Sequence, residues 1–206
     1  MYRSLLLILL VLPAASAMGA DLYRLDSGNT HVSLGVRIFG LPWISARFED
    51  ISGELAPGRS LMPGQLSSDP KARVDVTIRT ASLRCESAHW NARLLSPAWF
   101  DAERYPQIVY RSDYIAFEGD GRAVVSGHLT LHGHTRELAL SVNRWNCPAG
   151  AGALDSCSFA AYGKLRRSDY DLPHGLFDGG DAVEISIEGE NAAPQTQRST
   201  GAQAWR

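Results

Sequence analysis

Alternation of apolar and polar residues predicts a protein built mostly of β-strands. Val74, Val76 and Ile78 alternate with polar residues, and the same period of two recurs later in the chain. This period is typical of strands with one buried face and one face in water. Four segments show it clearly and five more weakly, so that eight or nine strands are predicted: 74–79, 128–132, 138–143 and 183–188, then 22–26, 32–39, 44–55, 108–117 and 158–165.

Turns and one helix connect these strands. Short glycine-bearing turns at 118–121 and 132–134 can each join antiparallel neighbours. Residues 86–95 fit a short helix that ends before Pro97, and this helix can either close one end of a barrel or pack outside a sheet. Residues 58–71 are predicted to form a long polar loop. The pattern is equally compatible with a β-sandwich and with a closed antiparallel barrel.

The two ends of the chain differ from the strand region. Residues 1–17 contain a single charge at Arg3, an apolar run over 5–12 and a small-residue site ending at Ala17, which is the pattern of a secretory signal peptide. The apolar run is far shorter than the ~20 residues that span a bilayer. Residues 191–206 are predicted to be a disordered tail. One domain over 18–190 remains, and we expect it to be exported.

Composition excludes some classes of function. The 206 residues are 45% apolar and 20% charged, enough for one sizeable core. Twenty Lys and Arg residues against 22 Asp and Glu residues give a net charge of -2, which supplies no basic excess for binding nucleic acid.

Three cysteines are available in an oxidising compartment. Cys147 and Cys157 flank a loop of small residues that lets neighbouring strands bring the two sulfur atoms together, so we predict a disulfide between them. Cys85 then stays alone at the start of the helix, as a buried small apolar residue.

Motifs for catalysis and metal binding are absent from the sequence. It contains no Gly-x-Ser-x-Gly elbow, no Gly-rich phosphate loop, no His-Glu-x-x-His and no Cys-x-x-Cys, and we predict that the protein is not an enzyme. His128 and His134 would be ~20 Å apart in an extended segment, too far to share one ion with His132. Asp169 and Asp171 lie in a turn-rich segment, where carboxylates usually cap turns or face water.

Several motifs, in order along most of the chain, resemble those of the YceI-like polyisoprenoid-binding proteins. They are Tyr23-Arg24-Leu25-Asp26 with Thr30-His31-Val32, Arg47-Phe48 with Gly53, the run from Leu94 to Asp101, Tyr105-Pro106-Gln107-Ile108 with Ser112, the run from Gly127 to Thr135, Arg167-Ser168-Asp169-Tyr170, and Val183 to Ile187. The chain departs from the family pattern at Ile38, Asn91, Arg93 and Asp171, and in the loop between Cys147 and Cys157.

The resemblance implies an all-β protein, an eight-stranded antiparallel lipocalin-like barrel with one short helix closing an end. It also implies a periplasmic location and a pocket for an isoprenoid chain. The leading hypothesis is therefore non-catalytic binding or carriage of a polyisoprenoid or quinone tail, with no cofactor beyond that ligand. Choosing the more apolar parity of each strand, we predict that the ligand-binding wall consists of Val76, Ile78, Ile108, Tyr110, Leu129, Leu131, Leu138, Leu140, Ile185 and Ile187. Five further ligand-binding residues are predicted to lie nearer the mouth of the pocket: Phe39, Trp43, Leu94, Trp99 and Phe100.

Two alternative functions belong to other classes. The first is an accessory or stress-response module that acts through its outer surface on a membrane redox protein. The second is a lipid-modifying enzyme that uses Asp169, Asp171 or a histidine at the pocket mouth. A homodimer is a further possible assembly.

Overall fold

A computed structural model describes residues 22–36, 44–56, 67–68, 72–146, 157–174 and 180–192. The strands are β1 (Tyr23–Asp26), β2 (Thr30–Val36), β3 (Ile44–Phe48), β4 (Ile51–Ala56), β5 (Ser67–Ser68), β6 (Arg73–Arg79), β7 (Leu83–Cys85), β8 (Gln107–Gly119), β9 (Arg122–Leu131), β10 (His134–Asn146), β11 (Cys157–Arg166) and β12 (Ala182–Ala192). One helix, α1 (Ala88–Leu95), and two 3-10 turns, Thr80–Ser82 and Arg167–Tyr170, complete the described elements.

All strand pairs are antiparallel and belong to one sheet. Its order is β1-β4-β6-β8-β9-β10-β11-β12-β2-β3-β7, with β5 paired to β8 beside this path. β1 and β4 stand at one end of this order, and β2 and β3 stand near the other end. Because β1 leads directly into β2 along the chain, and β3 into β4, the two ends of the sheet are brought close together. The sheet therefore curls around a common apolar interior. The prediction of an all-β, antiparallel protein with one short helix is confirmed.

The predicted number of eight strands is wrong, because the described residues contain twelve. The predicted strand 44–55 is divided into β3 and β4, and β7 lies in a segment that was not predicted as a strand. The strand β5 lies within the segment that we expected to be a loop. Strand β12 continues through Ala192, two residues into the predicted tail.

Local hydrogen bonds explain the turn between β1 and β2, which separates the two predicted strands 22–26 and 32–39. Between β1 and β2, the Asp26 carboxylate accepts a hydrogen bond from the Gly28 N–H (2.9 Å), and the Asn29 side-chain oxygen accepts one from the Asp26 N–H (3.0 Å). Asp and Asn side chains that bond to nearby backbone compete with the strand ladder for the same groups. The chain therefore turns here, although apolar alternation continues on both sides.

The two predicted hairpin turns are confirmed. Residues Asp120 and Gly121 join β8 to β9, and His132 and Gly133 join β9 to β10, in both cases with positive φ at the two positions. Two-residue loops with this backbone match the twist of the flanking strands. They set the pairing of β8 with β9 and of β9 with β10.

The helix α1 begins at Ala88, two residues later than predicted. The Ser87 side chain accepts a hydrogen bond from the Trp90 N–H and caps the helix N-terminus. At the other end, the Ser96 hydroxyl donates to the Arg93 carbonyl (2.7 Å). The buried residue Leu94 faces the interior of the sheet.

The cysteines are placed partly as predicted. Cys85 is a free thiol, but it ends β7 and pairs with Ala46 instead of starting the helix, and it is half-buried. Cys157 is fully buried. Cys147 lies outside the described residues, and its disulfide with Cys157 stays a prediction that non-reducing peptide mapping can test.

The predicted signal peptide, residues 1–17, also lies outside the described residues. In the described part of the chain, none of the helical structure is both long enough and apolar enough to cross a membrane.

Candidate functional site

An apolar cavity of about 140 Å³ lies inside the curled sheet. Every described strand except β5 contributes at least one lining residue, and α1 contributes Trp90 and Leu94. Along the strands the lining residues follow the period of two, except at Trp145, which follows the register shift between Val142 and Arg144 in β10. In β9, for example, Val125, Leu129 and Leu131 face inward, and the polar residues between them face outward. The side chains that face inward are the apolar ones of each alternating pattern, as the sequence predicts.

Nearly all predicted ligand-binding residues line this cavity. They are Val76, Ile78, Leu94, Trp99, Phe100, Ile108, Tyr110, Leu129, Leu131, Leu138, Leu140, Ile185 and Ile187. Phe39 and Trp43 lie outside the described residues. That these side chains contact a lipid stays a prediction.

Sequence reasoning missed further lining residues of two kinds. The first kind continues a predicted parity and could have been found by extending it, as for Val125, Val142 and Val183. The second kind lies where alternation is weak or absent, and only the fold reveals it. Examples are Thr30, Phe48, Ala161, Leu165, Arg167 and Leu172.

An aromatic cluster closes the part of the cavity next to α1. Trp99 and Phe100 follow the helix and are only 4% and 8% exposed. The Phe100 N–H donates to the Leu94 carbonyl (3.0 Å), which holds this segment against the helix end. The ring of Phe100 meets the ring of Phe48 edge-on, with 6.4 Å between centroids. Such T-shaped pairs add stability beyond burial alone.

The tyrosine in the cavity wall turns its hydroxyl into the sheet. The Tyr110 hydroxyl lies 3.1 Å from the Val125 carbonyl and 3.2 Å from the Leu138 carbonyl, to which it donates. Burial, and then the nearby charge of Asp113, raise the pKa of Tyr110 well above its ordinary value. The hydroxyl therefore stays protonated and links β8 to β9 and β10, while the ring faces the cavity.

Thr30 also keeps its hydroxyl bonded within the protein. It is 1% exposed, and its hydroxyl donates to the side-chain oxygen of Asn29 (2.7 Å). The threonine thus presents mostly its methyl group to the cavity.

One lining residue is charged. Arg167, the first residue after β11, is 1% exposed, and its guanidinium carbon lies 5.3 Å from the centre of the Trp99 ring. This distance is that of a cation–π contact. The guanidinium nitrogens are themselves buried, so Arg167 adds almost no polar surface to the cavity beside the aromatic cluster.

The histidines lie away from the cavity wall. His132 occupies the β9–β10 turn, where its Nδ1 is 3.1 Å from the Tyr170 carbonyl and its ring packs on Tyr105. His128 pairs with Asp113 at 2.9 Å on the surface. Among the described residues, no three His, Cys, Asp or Glu side chains come close enough to hold a metal ion.

The two aspartates of the enzyme hypothesis also lie outside the cavity wall. Asp171 ends the 3-10 turn in the left-handed region, and Asp169 lies 4.0 Å from Arg166 on the surface. Neither carboxylate is among the residues that line the cavity.

Related proteins are found by sequence and by structure. A protein from Serratia proteamaculans, designated UPF0312, is 31% identical over 191 residues, covering 89% of this chain and 93% of its own. Protein YceI of Escherichia coli O157:H7 is 28% identical over 188 residues, covering 87% and 92%.

Two solved structures share the fold. BcnA of Burkholderia cenocepacia superposes with a TM-score of 0.62 at 24% identity, covering 83% of this chain and 99% of its own. A polyisoprenoid binding domain from Saccharophagus degradans, described as implicated in plant cell wall breakdown, superposes with a TM-score of 0.55 at 14% identity, covering 82% and 97%.

The family model described as the YceI-like domain matches residues 23–191, which include every described strand except the last residue of β12. The motifs that carry the resemblance in sequence therefore lie in a matching fold, and the chain belongs to the YceI-like family.

Proposed function

We propose that this protein binds an isoprenoid-like lipid, a polyisoprenoid or a quinone tail, in the cavity of a lipocalin-like barrel, and carries it without changing it chemically. The observation that carries the proposal is the cavity itself, because the described residues that line it are apolar apart from Thr30 and Arg167. The Saccharophagus degradans domain, described as polyisoprenoid binding, has the same fold and supports this ligand class.

The hydrophobic effect supplies the binding free energy. Burying one CH₂ contributes ~0.8 kcal/mol, so one isoprene unit of five carbons contributes about 4 kcal/mol. Immobilising a flexible chain and the side chains around it costs about 0.5–1.5 kcal/mol per group. Two or three units are therefore enough to offset these costs.

The volume of the cavity limits how much of a chain it holds. An apolar cavity of ~150 Å³ accommodates a benzene molecule, and the cavity here measures about 140 Å³. It therefore holds about one isoprene unit in this conformation. Binding of two or three units therefore requires the cavity to widen.

The position of the titratable groups supports binding over catalysis. Asp169, Asp171 and the described histidines do not line the cavity, so none of them is placed to act on a lipid inside it. A turnover assay on isoprenoid substrates would detect the alternative activity.

The outer-surface alternative has less support. An accessory module would present an exposed aromatic patch, but the large exposed apolar residues of the described chain are Tyr114 and Tyr162. They lie on β8 and β11, with two strands between them. The membrane redox partner and the homodimer have no supporting observation here.

Export to the periplasm is part of the proposal, and it rests on the signal-peptide pattern of residues 1–17. N-terminal sequencing of periplasmic protein tests it. We expect a chain that starts after Ala17, and a chain that still starts at Met1 would contradict export.

The decisive test identifies what the purified protein contains. Protein from the periplasm is extracted with organic solvent, and the extract is analysed by mass spectrometry beside an empty-vector control and a Leu131→Asp variant, which places a carboxylate on the cavity wall. We expect a stoichiometric isoprenoid or quinone from the wild type and much less from the folded variant. A clean extract from folded wild-type protein would contradict the proposal.

A further inference from the structure

One end of the cavity is formed by a second, smaller cluster of buried residues. Its members are Tyr23, Leu25, Leu55, Cys157 and Phe159. Leu25, Leu55 and Phe159 also line the cavity, whereas Tyr23 and Cys157 are fully buried and do not line it. The cavity therefore stops at a layer of three side chains, Leu25, Leu55 and Phe159, which we call the floor.

The floor lies at the opposite end of the barrel from the aromatic cluster beside α1. The strand β10 begins just after His132, whose ring packs on Tyr105, and Tyr105 follows Phe100 closely in the chain. Trp145, which pairs with Phe159, lies near the other end of this 13-residue strand. At about 3.4 Å per residue, tens of ångströms of strand separate the two ends.

The largest side chain of the floor depends on a glycine in the neighbouring strand. Phe159 on β11 and Gly189 on β12 are cross-strand partners, so a side chain at either position points to the same face of the sheet. A Cβ on Gly189 would overlap the Phe159 ring. Glycine within a strand often marks such a close approach. Gly189 therefore lets the ring lie against β12 instead of further inside the barrel.

A methyl group added to this glycine would push the ring toward the cavity. On its other side, Phe159 pairs with Trp145 of β10, whose ring meets Phe117 edge-on with 5.1 Å between centroids. The fully buried Tyr23 and Cys157 belong to the same cluster and lie outside the cavity wall. These neighbours leave the cavity as the space into which the ring can move.

The position of the floor affects how long a tail can be buried. An isoprene unit strengthens binding only while it is removed from water, because the hydrophobic effect is proportional to the apolar area buried. A unit that reaches the floor would have to displace closely packed side chains, which protein interiors resist. The affinity should therefore rise with tail length up to the floor and no further.

We propose that Phe159 and Gly189 set the length of the apolar tail that the cavity accepts. The Phe159 ring stops the tail, and Gly189 keeps that ring against β12, so that the cavity retains its depth. This inference rests on the proposed function and narrows it, from any isoprenoid-like lipid to one whose buried tail ends at this floor.

The test compares isoprenoid alcohols that differ in length alone. Prenol, geraniol, farnesol and geranylgeraniol, a series in which each member is one isoprene unit longer, are titrated into the purified mature protein and followed by tryptophan fluorescence. We expect each added unit to strengthen binding by about tenfold or more until the tail reaches the floor. The next unit should change the affinity by less than about twofold, and this point is the tail-length limit.

Phe159→Ala removes the ring from the floor. The space left is about that of a benzene molecule, which is close to one isoprene unit. The tail-length limit should therefore rise by about one unit. Phe117→Ala is the matched control, because it removes the same ring beside Trp145 from a half-buried residue that does not line the cavity. It should keep the wild-type limit.

Gly189→Ala tests the proposal in the opposite direction. The alcohol at the wild-type limit should bind about fivefold more weakly or worse, because the displaced ring shortens the cavity. In the double variant Phe159→Ala with Gly189→Ala, the methyl group has no ring to displace, so the raised limit of Phe159→Ala should persist. Should Phe159→Ala fail to fold, Gly189→Ala and the milder Phe159→Leu still decide.

The outcomes separate the two proposals. An affinity that keeps rising through geranylgeraniol in the wild type would overturn the floor and leave lipid binding intact. A limit that is unchanged in folded Phe159→Ala or Gly189→Ala, or that rises equally in Phe117→Ala, would overturn the assignment to these two residues. Failure of all the alcohols to bind would contradict the proposed function, and this inference with it.

Discussion

Tyr110 joins three strands through a single hydroxyl group. Because the hydroxyl is buried and donates to the Val125 and Leu138 carbonyls, Tyr110→Phe removes a hydrogen bond and leaves buried carbonyl oxygens less satisfied. We expect a loss of about 1–2 kcal/mol in the free energy of unfolding. Urea denaturation followed by circular dichroism measures it.

The matched control is Tyr162→Phe. Tyr162 is 44% exposed, so loss of its hydroxyl should change stability by less than about 0.5 kcal/mol. Equal stability of the Tyr110→Phe protein and the wild type would show that this hydroxyl does not hold the strands together.

Asp181 ties the 3-10 turn after β11 to the start of β12. Burial acts to raise the pKa of this carboxyl, but hydrogen bonds from the Ser168 N–H (2.8 Å) and hydroxyl (2.9 Å), with Arg166 nearby, hold the pKa below its ordinary value of 3.8. A lowered folded-state pKa contributes stability that is present above about pH 4 and is lost as the pH falls through the folded pKa.

We therefore expect Asp181→Asn to lose about 1 kcal/mol at pH 7, after screening by solvent, and to match the wild type near pH 2. Urea midpoints measured across this pH range test it, with Asp169→Asn as a neighbouring exposed control. A difference that stays constant down to pH 2 would refute the role of the charge.

At the scale of elements, the β9–β10 hairpin depends on its turn glycine. Gly133 has a φ of 75°, and a Cβ at this position would lie 2.7 Å from the Tyr105 ring. Gly133→Ala therefore combines an unfavourable backbone conformation with a steric clash, and we expect a loss of about 2–3 kcal/mol in the free energy of unfolding.

Gly180→Ala provides the comparison, because Gly180 has a similar φ of 78° but, apart from its chain neighbours, no atom of the described residues lies within 4 Å of the place that an alanine methyl group would take. Only the backbone penalty of about 1–2 kcal/mol should remain. Similar losses in both variants would mean that the Tyr105 ring moves aside without cost.

The elements also show where sequence reasoning succeeds and where it fails. The hairpin turn at His132 and Gly133 was predictable, because a turn glycine between alternating strands is a local signal. The split of the predicted strand 44–55 at Glu49 and Asp50 was not predictable in this way. The Glu49 N–H donates to the Ser82 carbonyl and the Asp50 carbonyl accepts from the Arg79 N–H, and both partners are distant in the chain.

At the scale of the whole molecule, a substitution that reduces the volume of the cavity tests whether the ligand is held there. Ala161 lines the cavity and is 4% exposed, so Ala161→Leu places three further carbon atoms inside it. We expect stability to stay equal or to rise by about 1 kcal/mol, because filling a cavity restores packing contacts. The lipid content of the purified protein should fall severalfold, as mass spectrometry of the extract will measure.

Ala139→Leu makes the same change on the exposed face of β10 and should leave the lipid content as in the wild type. An Ala161→Leu protein that keeps its full lipid content would show that the ligand is held elsewhere.

The sequence by itself determined the β class, the two hairpin turns and the inward parity of the strands, because alternation and turn chemistry act between residues close in the chain. Only the tertiary structure decided which strands are neighbours, how large the cavity is, and that Arg167 is buried against Trp99. These features depend on packing between distant parts of the chain, and an arginine that usually lies on the surface gives no local sign of burial.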